Sequence, residues 1–292
     1  MRICDEAPLT IVAVTRGEAW VLDDHTSTHL PAGSVAIIRG PGHYTVADSP
    51  STPPDIIIHP GQRCESVGGA SLAMSMHLGV RTWGHSVGAP TAMLTGTYEN
   101  HTALGSDLLE TLPKVVAVHH DSGNAIATVL ADEIVRDSPG QQTVLDRLLD
   151  VLVVDTLRTW YEQQSEASPW WAAHRDPVVG GALALIHDAP EHPWTIATLA
   201  RSVGTSRAHL ARRFNDLVGE PPISYLTKWR LGLAADLLCQ PAATVTKTAT
   251  AVGYGSPFAF STAFKRRYGI SPQQHRIQAT SMVAHDDELL NA

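Results

Sequence analysis

The sequence predicts an α+β protein of two main domains, with an all-β N-terminal part and an all-α C-terminal part. Between residues 10 and 76, short Val- and Ile-rich runs alternate with Gly, Pro and Asp at intervals of roughly ten residues, as in a β-sandwich or barrel. From residue 121 onward, apolar positions repeat with helical period instead. A chain of 292 residues is long enough for two separate cores.

Charge is divided unevenly between these two parts. Residues 1–176 carry 10 Lys and Arg against 21 Asp and Glu, whereas residues 201–276 carry 11 against 3. The formal net charge of −8 therefore conceals a basic C-terminal module, which is typical of nucleic-acid binding. The acidic half is excluded as a DNA-facing surface.

Several protein classes are excluded by the sequence. No apolar run reaches transmembrane length and the first ten residues have no signal-peptide pattern, so we expect a cytoplasmic protein without a membrane partner. Three widely separated cysteines argue against a disulfide scaffold. Cys-x-x-Cys and His-Glu-x-x-His do not occur, and we expect neither catalytic residues nor an enzyme.

The first predicted domain, residues 1–120, consists mainly of strands. Its strand-like stretches are residues 10–22, 29–47, 55–60, 71–78, 81–84 and 91–99, while residues 106–118 are predicted to form a helix and turn that leave the barrel. Because this pattern starts almost at Met1, we expect that one or two opening strands are either absent or lost through a misplaced start.

A helical hairpin is predicted next, over residues 121–165. Its first helix, residues 124–136, has one apolar face, and its second, residues 141–164, has a wide stripe of Leu145, Leu148, Leu149, Leu152, Val153, Thr156 and Leu157. That stripe is wide for a helix that lies only on a barrel. Residues 166–177 are predicted to be a linker and residues 281–292 a frayed tail.

The C-terminal domain, residues 178–280, contains two copies of one design: a short helix, a glycine turn and a second helix with a polar outer face. In the first copy, Thr195 caps the short helix, Gly204 ends it and Ser206 caps the second helix. The outer face of that second helix carries Arg207, Ala208, Ala211, Arg212 and Asn215. Small residues mixed with arginine let a helix enter a DNA major groove while a guanidinium reaches a base edge or a phosphate.

The second copy begins near Thr244 and turns at residues 253–255, after which Ser256 caps the second helix and Pro257 opens it. Its outer face carries Phe258, Ala259, Thr262, Lys265 and Arg266. Residues 223–240 are predicted to form one long helix that acts as a rigid spacer. Two helices on a fixed spacer can enter successive major grooves, about 34 Å apart.

Two long strings carry a family resemblance: IATLARSVGTSRAHLARRFNDLVGEPPISYLTKWRLGLAADLLC at residues 196–239 and TKTATAVGYGSPFAFSTAFKRRYGISPQQHR at residues 246–276. They resemble the tandem helix-turn-helix DNA-binding domain of AraC/XylS transcription regulators. The resemblance implies that double-stranded DNA is contacted at the bases by Ala208, Ala211 and Arg212 in the first copy and by Phe258, Ala259 and Thr262 in the second. Because the second set departs from members with polar or cationic side chains there, we expect contact with thymine methyls, with Lys265 and Arg266 at phosphates.

Residues 30–46, with a Pro-Ala-Gly turn, a hydrophobic strand and Gly-Pro-Gly-His, are similar to the cupin-like jelly roll that AraC-type regulators carry as a sensor domain. The resemblance implies a small-molecule effector in this domain and RNA polymerase as a further partner. It also implies a homodimer, because the corresponding hairpin forms the dimer contact in family members; packing on its own barrel alone is the alternative. We expect a charged residue at Leu149 or Leu152 to leave a folded monomer.

Two groups of residues are candidate sites in the N-terminal domain. Trp20, Tyr44, Trp83 and Tyr98 could line a pocket for an apolar or aromatic effector or could be plain core residues. His43 lies where a metal-binding cupin places a ligand, but such a site needs further His and Glu at set spacing on neighbouring strands, so His43 is interpreted as a structural or pocket-lining residue. His59, Cys64 and His77 surround a Pro-Gly turn, and a thiolate with two imidazoles could hold zinc or sense oxidants. A buried thiol with surface imidazoles is the alternative, and no other cofactor is predicted.

These observations together predict a sequence-specific DNA-binding transcription regulator, controlled by a small-molecule, redox or metal signal at its N-terminal domain. A cupin-type metalloenzyme whose helices serve only assembly is the alternative from another class. A third hypothesis keeps DNA binding but makes the barrel a dimerisation unit without an effector.

Overall fold

A computed structural model of the chain describes residues 1–98, 109, 112–163, 169–240 and 242–278, of which residues 169–171 by backbone alone. Contacts divide the chain into two compact units, one made up mostly of residues before 166 and the other mostly of residues from 166 onward. The first unit is rich in strands and the second is helical. The predicted α+β class, with a β-rich domain followed by an all-α domain, is therefore confirmed.

The first unit contains twelve strands within the described ranges. They are β1 (Arg2–Ile3), β2 (Leu9–Arg16), β3 (Glu18–Leu22), β4 (Ser27–Pro31), β5 (Ser34–Arg39), β6 (Tyr44–Ala47), β7 (Ile56–His59), β8 (Arg63–Ser66), β9 (His77–Gly79), β10 (Thr82–Trp83), β11 (Ala92–Tyr98) and β12 (Val115–His119). A six-stranded sheet has the order β4-β3-β6-β1-β7-β8, a four-stranded sheet the order β11-β2-β5-β12, and β9 pairs with β10. One core joins the two larger sheets, with Val12 and Ile38 from the four-stranded sheet and Val21 and Val46 from the six-stranded sheet.

Two stretches of this unit differ from the sequence prediction. Residues 73–76, expected in a strand, form a turn in which the Met76 N–H donates to the Leu72 carbonyl at 3.1 Å. Leu72 and Met76 both pack on the core, so their spacing is that of a turn rather than of strand alternation. Residues 115–118, predicted to belong to the helix and turn of residues 106–118, instead lie in β12, because Val116 and Val118 bury one face of this strand while Val115 and Ala117 contact the core with the other. Most of the predicted helix, residues 106–108, 110 and 111, lies outside the described residues.

The helical hairpin consists of α1 (Ala125–Ile134) and α2 (Gln141–Gln163). Asn124 caps α1 by accepting hydrogen bonds from the Ile126 and Ala127 N–H groups. Helix α2 packs on β5 and β12, so it covers the face of the four-stranded sheet that points away from the barrel core. The hairpin therefore lies on its own barrel.

The wide apolar stripe of α2 is directed mainly at that sheet. Leu152 is 1% exposed, and a Cβ added at Gly96 of β11 would lie 2.5 Å from Leu149 Cδ1. The expectation that a charge at Leu149 or Leu152 leaves a folded monomer is therefore wrong, because Leu152 is a core residue and Leu149 is half-buried against Gly96, so a charge at either position would destabilise the first unit itself. Val144, Val151 and Val154 remain on the outer side of α2, each about half exposed.

The second unit consists of helices. They are α3 (Pro169–Arg175), α4 (Pro177–Asp188), α5 (Ile196–Ser202), α6 (Arg207–Val218), α7 (Pro222–Leu238), α8 (Val245–Ala251) and α9 (Pro257–Tyr268), followed by helical residues 272–278. Ala173 of α3 is fully buried in the same core as Val179 and Leu183 of α4. Residues 169–175 are thus a packed helix of this unit, whereas the sequence prediction placed them in a linker.

Helix α7 belongs to two cores of the second unit. Its Leu226 packs in the first core, with Leu199, Leu210 and Phe214, and its Leu231 packs in the second core. The second core also holds Ala249, Phe260 and Phe264. One continuous helix therefore connects the two helix-turn-helix halves. Among the described residues, no helix has the length and apolarity needed to cross a membrane.

Candidate nucleic-acid interface

The first recognition helix is α6, and local signals set both of its ends. Ser206 Oγ accepts a hydrogen bond from the His209 N–H at 3.2 Å, and Gly219 ends the helix with φ +83°. Leu210 and Phe214, four residues apart, are fully buried. The opposite face holds all the predicted residues of this copy: Ser206, Arg207, Ala208 and Arg212 are exposed and Ala211 is half-buried.

A third arginine of this helix has a structural role instead. Arg213 Nε donates to Asp176 Oδ2 at 2.8 Å, and Asp176 also accepts from the Val178 and Val179 N–H groups at the start of α4. Burial raises the pKa of the Asp176 carboxyl, but these hydrogen bonds and the Arg213 charge outweigh it and leave the pKa below its usual value. Within the described residues, Arg207 and Arg212 make no ion pair, so both guanidinium groups are available to a ligand.

The second recognition helix, α9, repeats this construction. Ser256 Oγ accepts from the Ala259 N–H at 3.2 Å, Pro257 occupies the first turn, and Gly269 ends the helix with φ +76°. The buried face holds Phe260 and Phe264. The predicted residues lie outside: Phe258 is 82% exposed, Ala259, Thr262, Lys265 and Arg266 are exposed, and Ser256 is half-buried.

Two details define what this second surface offers. The Thr262 hydroxyl donates to the Phe258 carbonyl at 3.0 Å, so only its oxygen lone pairs and its methyl group face outward. Phe258 and Ala259 present apolar surface, which suits a thymine methyl rather than a hydrogen-bonding base edge. Two of the three cationic residues of this helix, Lys265 and Arg266, are exposed one to two turns further along.

Arg230 of α7, which sequence reasoning did not single out, ties the two halves together. Its Nε donates to the Pro190 carbonyl at 2.6 Å and its Nη2 to the His192 carbonyl at 2.8 Å, in the loop before the first copy. The turn of the second copy packs on the same loop, because a Cβ at Gly253 would lie 2.6 Å from the Glu191 carbonyl oxygen. Backbone carbonyl acceptors leave no mark in a sequence, which is why this contact was missed.

A half-buried histidine lies in the first half. His187 Nε2 is 2.8 Å from Tyr225 Oη, and its ring packs on Trp229 with centroids 4.1 Å apart. Burial, together with the nearby His174, lowers the pKa of His187 to about 4. The imidazole is therefore neutral near pH 7 and belongs to the packing of this half.

The five candidate pocket residues of the first unit do not line one cavity. Tyr44 is buried in the barrel core, where burial raises the pKa of its phenol to about 12, and Trp83 packs against the same core. Strand alternation places Trp20 on the opposite face from Ala19 and Val21, stacked on His29 with centroids 4.6 Å apart. Tyr98 Oη donates to Asp150 Oδ1 of the hairpin at 3.0 Å, and His43 is exposed.

The candidate zinc or redox residues are also separated. Cys64 lies opposite Ile58 and packs against the barrel core, where burial raises the pKa of its thiol. His59 Nε2 instead lies 3.3 Å from Glu65 Oε2, and His77 is exposed on β9. Across the described residues, no group of three His, Cys, Asp or Glu side chains could hold a metal ion. Strand alternation thus points the three side chains in different directions, and their placement does not support the hypothesis of a zinc or redox site.

Known proteins match both units. The cupin family profile matches residues 1–162 and the helix-turn-helix domain profile matches residues 199–278. An AraC-like transcription regulator of Streptomyces lividans is 32% identical over 86% of this chain and 80% of its own length. A solved DNA-binding domain, that of the global transcriptional factor AdpA in complex with a target DNA, is 29% identical, with a TM-score of 0.35 over 37% of this chain and 96% of that one.

Two further relatives match over a shorter length. An AraC-like transcription regulator of Streptomyces antibioticus is 38% identical over 58% of this chain, and the HTH-type transcriptional regulator AlkR of Acinetobacter baylyi is 36% identical over 60% of it. The chain spans 58% and 60% of the length of these two relatives. The matched relatives are transcription regulators, which leaves the metalloenzyme alternative without support.

Proposed function

Because this chain belongs to the AraC-like transcription regulators, with a cupin domain followed by a DNA-binding helix-turn-helix domain, we propose that it acts as a signal-controlled homodimer whose α6 and α9 enter successive major grooves of DNA. The observation that carries this proposal is the pair of equally built recognition helices joined by α7. Both are capped by serine, both bury two residues four apart, and both leave their predicted contact face in solvent.

The two faces have different roles in this proposal. Arg212, with Ala208 and Ala211 beside it, recognises a base edge, and Arg207 supports it from the first turn of α6. On α9, Phe258, Ala259 and Thr262 contact thymine methyls, while Lys265 and Arg266 contact phosphates. Ser206 and Ser256 hold the helix starts.

The first unit is proposed to receive the signal, and the domain layout follows from the same division. Residues 1–120 form the sensor domain and residues 121–165 the hairpin, and the DNA-binding domain begins at α3 rather than at residue 178. RNA polymerase and a small-molecule effector are the further partners, and the cytoplasm, which holds the DNA, is the compartment. Since the predicted pocket residues are dispersed, the effector site is not assigned to them.

Dimer formation is proposed to use the outer side of α2. Val144, Val151 and Val154 are 45%, 52% and 46% exposed and lie seven and three residues apart, so they form one stripe. Two-fold dimer contacts between helices commonly bury an aliphatic stripe of this kind. We expect Val151→Asp with Val154→Asp to give a folded monomer, measured by light scattering. Val67→Asp, at a 64% exposed valine outside the hairpin, is the matched control and should leave the dimer intact.

The experiment that tests DNA binding compares the upstream regions of the protein's own gene and its neighbours with random DNA at two salt concentrations. Preferential binding that persists at the higher salt is the expected result, because base contacts add to the electrostatic affinity. No preference for any duplex, including one selected from a random pool, would contradict the proposal. A shift in melting temperature with a small molecule would separate a sensor from a barrel that only dimerises.

A further inference from the structure

A cleft lies in the second unit, between the first half of α7 and the second recognition helix. Its volume is about 480 Å³, and one face of each helix lines it. Ser224, Thr227 and Lys228 come from α7, spaced as neighbours on one helical face. Ala263 and Arg266 come from α9. Neither Lys228 nor the two hydroxyl residues was singled out from the sequence.

The wall on α9 continues the exposed contact face of that helix. Ala263 follows Ala259 by four residues and Arg266 follows Thr262 by four, so each pair shares a helical face. Ala259 and Thr262 are exposed at the start of the helix. A duplex placed on these two residues therefore runs alongside the cleft.

The polar groups of the cleft suit an anion. Lys228, Arg266 and Arg267 bring three cations, against one carboxylate, Glu220, whose Oε1 accepts from Lys228 Nζ at 2.9 Å. Lys228 keeps 53% of its side chain exposed, and an ammonium has two further N–H donors for a second acceptor. Arginine, lysine and hydroxyl side chains are the groups that contact phosphate oxygens in protein–DNA complexes.

We propose that this cleft binds the sugar-phosphate backbone of the DNA segment that lies between the two major grooves occupied by α6 and α9. The inference rests on the proposed function, since that function places both helices on one side of a duplex. Between two successive major grooves, the same side of B-DNA presents its minor groove, flanked by the two phosphate strands. The cleft thereby adds affinity for every sequence and leaves base recognition to the helices.

The first experiment compares Lys228→Gln with Lys228→Arg in the full chain, on a duplex that the wild type selects from a random pool and on random DNA. Loss of one phosphate contact reduces the slope of log K against log salt by about 0.9. We expect this reduction for Lys228→Gln on both duplexes and the wild-type slope for Lys228→Arg. The double variant Glu220→Gln with Lys228→Gln keeps the wild-type net charge and should still show the reduced slope. That result would show that the reduction does not come from leaving Glu220 unpaired.

The second experiment changes the DNA instead. Neutral methylphosphonate linkages placed between the two half-sites should weaken DNA binding by the wild type. They should weaken binding by Lys228→Gln less, because the substitution has already removed the contact that the linkages remove. Equal slopes for wild type and Lys228→Gln, or fully additive losses, would overturn the cleft inference while leaving the regulator intact. A wild type that selects no duplex would instead overturn the proposed function and the inference together.

Discussion

The two helix-turn-helix halves share their backbone design and differ in what they present and in what holds them. Ser206 and Ser256 cap the recognition helices with the same hydrogen bond, at 3.2 Å, and Gly219 and Gly269 end them with left-handed φ. The outer faces diverge, with exposed arginines on α6 and an exposed Phe, Ala and Thr on α9. Local backbone signals and the chemistry of the exposed faces thus vary independently within one chain.

The turn glycines of the two halves differ in the same way. Gly204 and Gly253 both have positive φ, of 71° and 79°, yet a Cβ at Gly204 would meet nothing within 4 Å, whereas one at Gly253 would overlap the Glu191 carbonyl oxygen. The first turn is thus open and the second is packed against the other half. Three comparisons of paired residues, from the largest expected effect to the smallest, and one pH profile test this contrast.

The largest effect is expected for the buried phenylalanines. Phe264→Ala should lower the free energy of unfolding of the second unit by about 3–5 kcal/mol, because the side chain is fully buried in the second core. Phe258→Ala, at an 82% exposed position of the same helix, should change stability by no more than about 0.5 kcal/mol and weaken DNA binding. Urea unfolding followed by far-UV circular dichroism measures the first effect, and a large stability loss for Phe258→Ala would contradict the exposed placement.

The second comparison concerns the stability cost of replacing the turn glycines, Gly204 and Gly253, by alanine. Alanine at either position must adopt a left-handed conformation, which costs about 1–2 kcal/mol. Gly253→Ala adds an overlap with backbone, and such overpacking costs roughly a further 1–3 kcal/mol. Thermal unfolding of the two variants should therefore show the larger loss for Gly253→Ala. Equal losses would mean that the second turn is not held against the Glu191 loop.

The third comparison concerns base recognition by the two faces. Arg212→Ala should weaken binding to the selected duplex by roughly 1–3 kcal/mol and relax preference at one base position. Lys265→Ala should weaken all sequences alike and reduce the salt slope by about one. Binding titrations with single-base variants of the selected duplex distinguish the two. Equal losses on selected and random DNA for Arg212→Ala would show that this residue contacts only phosphate.

The pH profile concerns His187 in the first half. The pKa of His187 is lowered by burial from 6.5 to about 4, so between these values the unfolded chain binds more protons than the folded one. The free energy of unfolding should therefore fall as pH is lowered from about 6.5 to about 4, and the stabilisation is complete above that window. His187→Gln should flatten this part of the profile, measured by urea unfolding across the window. An unchanged profile would assign the acid sensitivity to other groups.

Much of the second unit could be predicted from the sequence because its signals are local. The caps Ser206 and Ser256, the glycine stops and the pairs of buried residues four apart lie within one helix each, so tertiary packing does not override them. The exposed contact faces follow directly from the buried ones. Lys228 was not singled out because its place in the cleft depends on α9, which the sequence does not place beside α7.

Less of the first unit could be predicted, because a strand pattern or an apolar stripe does not show which element or which molecule it packs against. The α2 stripe was assigned to a second copy, but Leu149 and Leu152 pack on the protein's own sheet, and an apolar stripe has the same appearance in both cases. Aromatic residues such as Trp20 and Tyr98 were grouped by type, whereas strand alternation and the hairpin separate them. Which face of a strand points inward depends on register, and register is a long-range property.

Arg230 has a consequence for the choice of promoters. Each added base pair turns one half-site by about a tenth of a helical turn relative to the other. Because Arg230 and the Gly253 turn fasten both halves to the same loop, α6 and α9 cannot rotate separately to follow such a change. If α6 and α9 occupy successive grooves as proposed, we expect promoters with the right bases at the wrong interval to be bound more weakly, so that single-base insertions or deletions between the half-sites remove a gene from this protein's control.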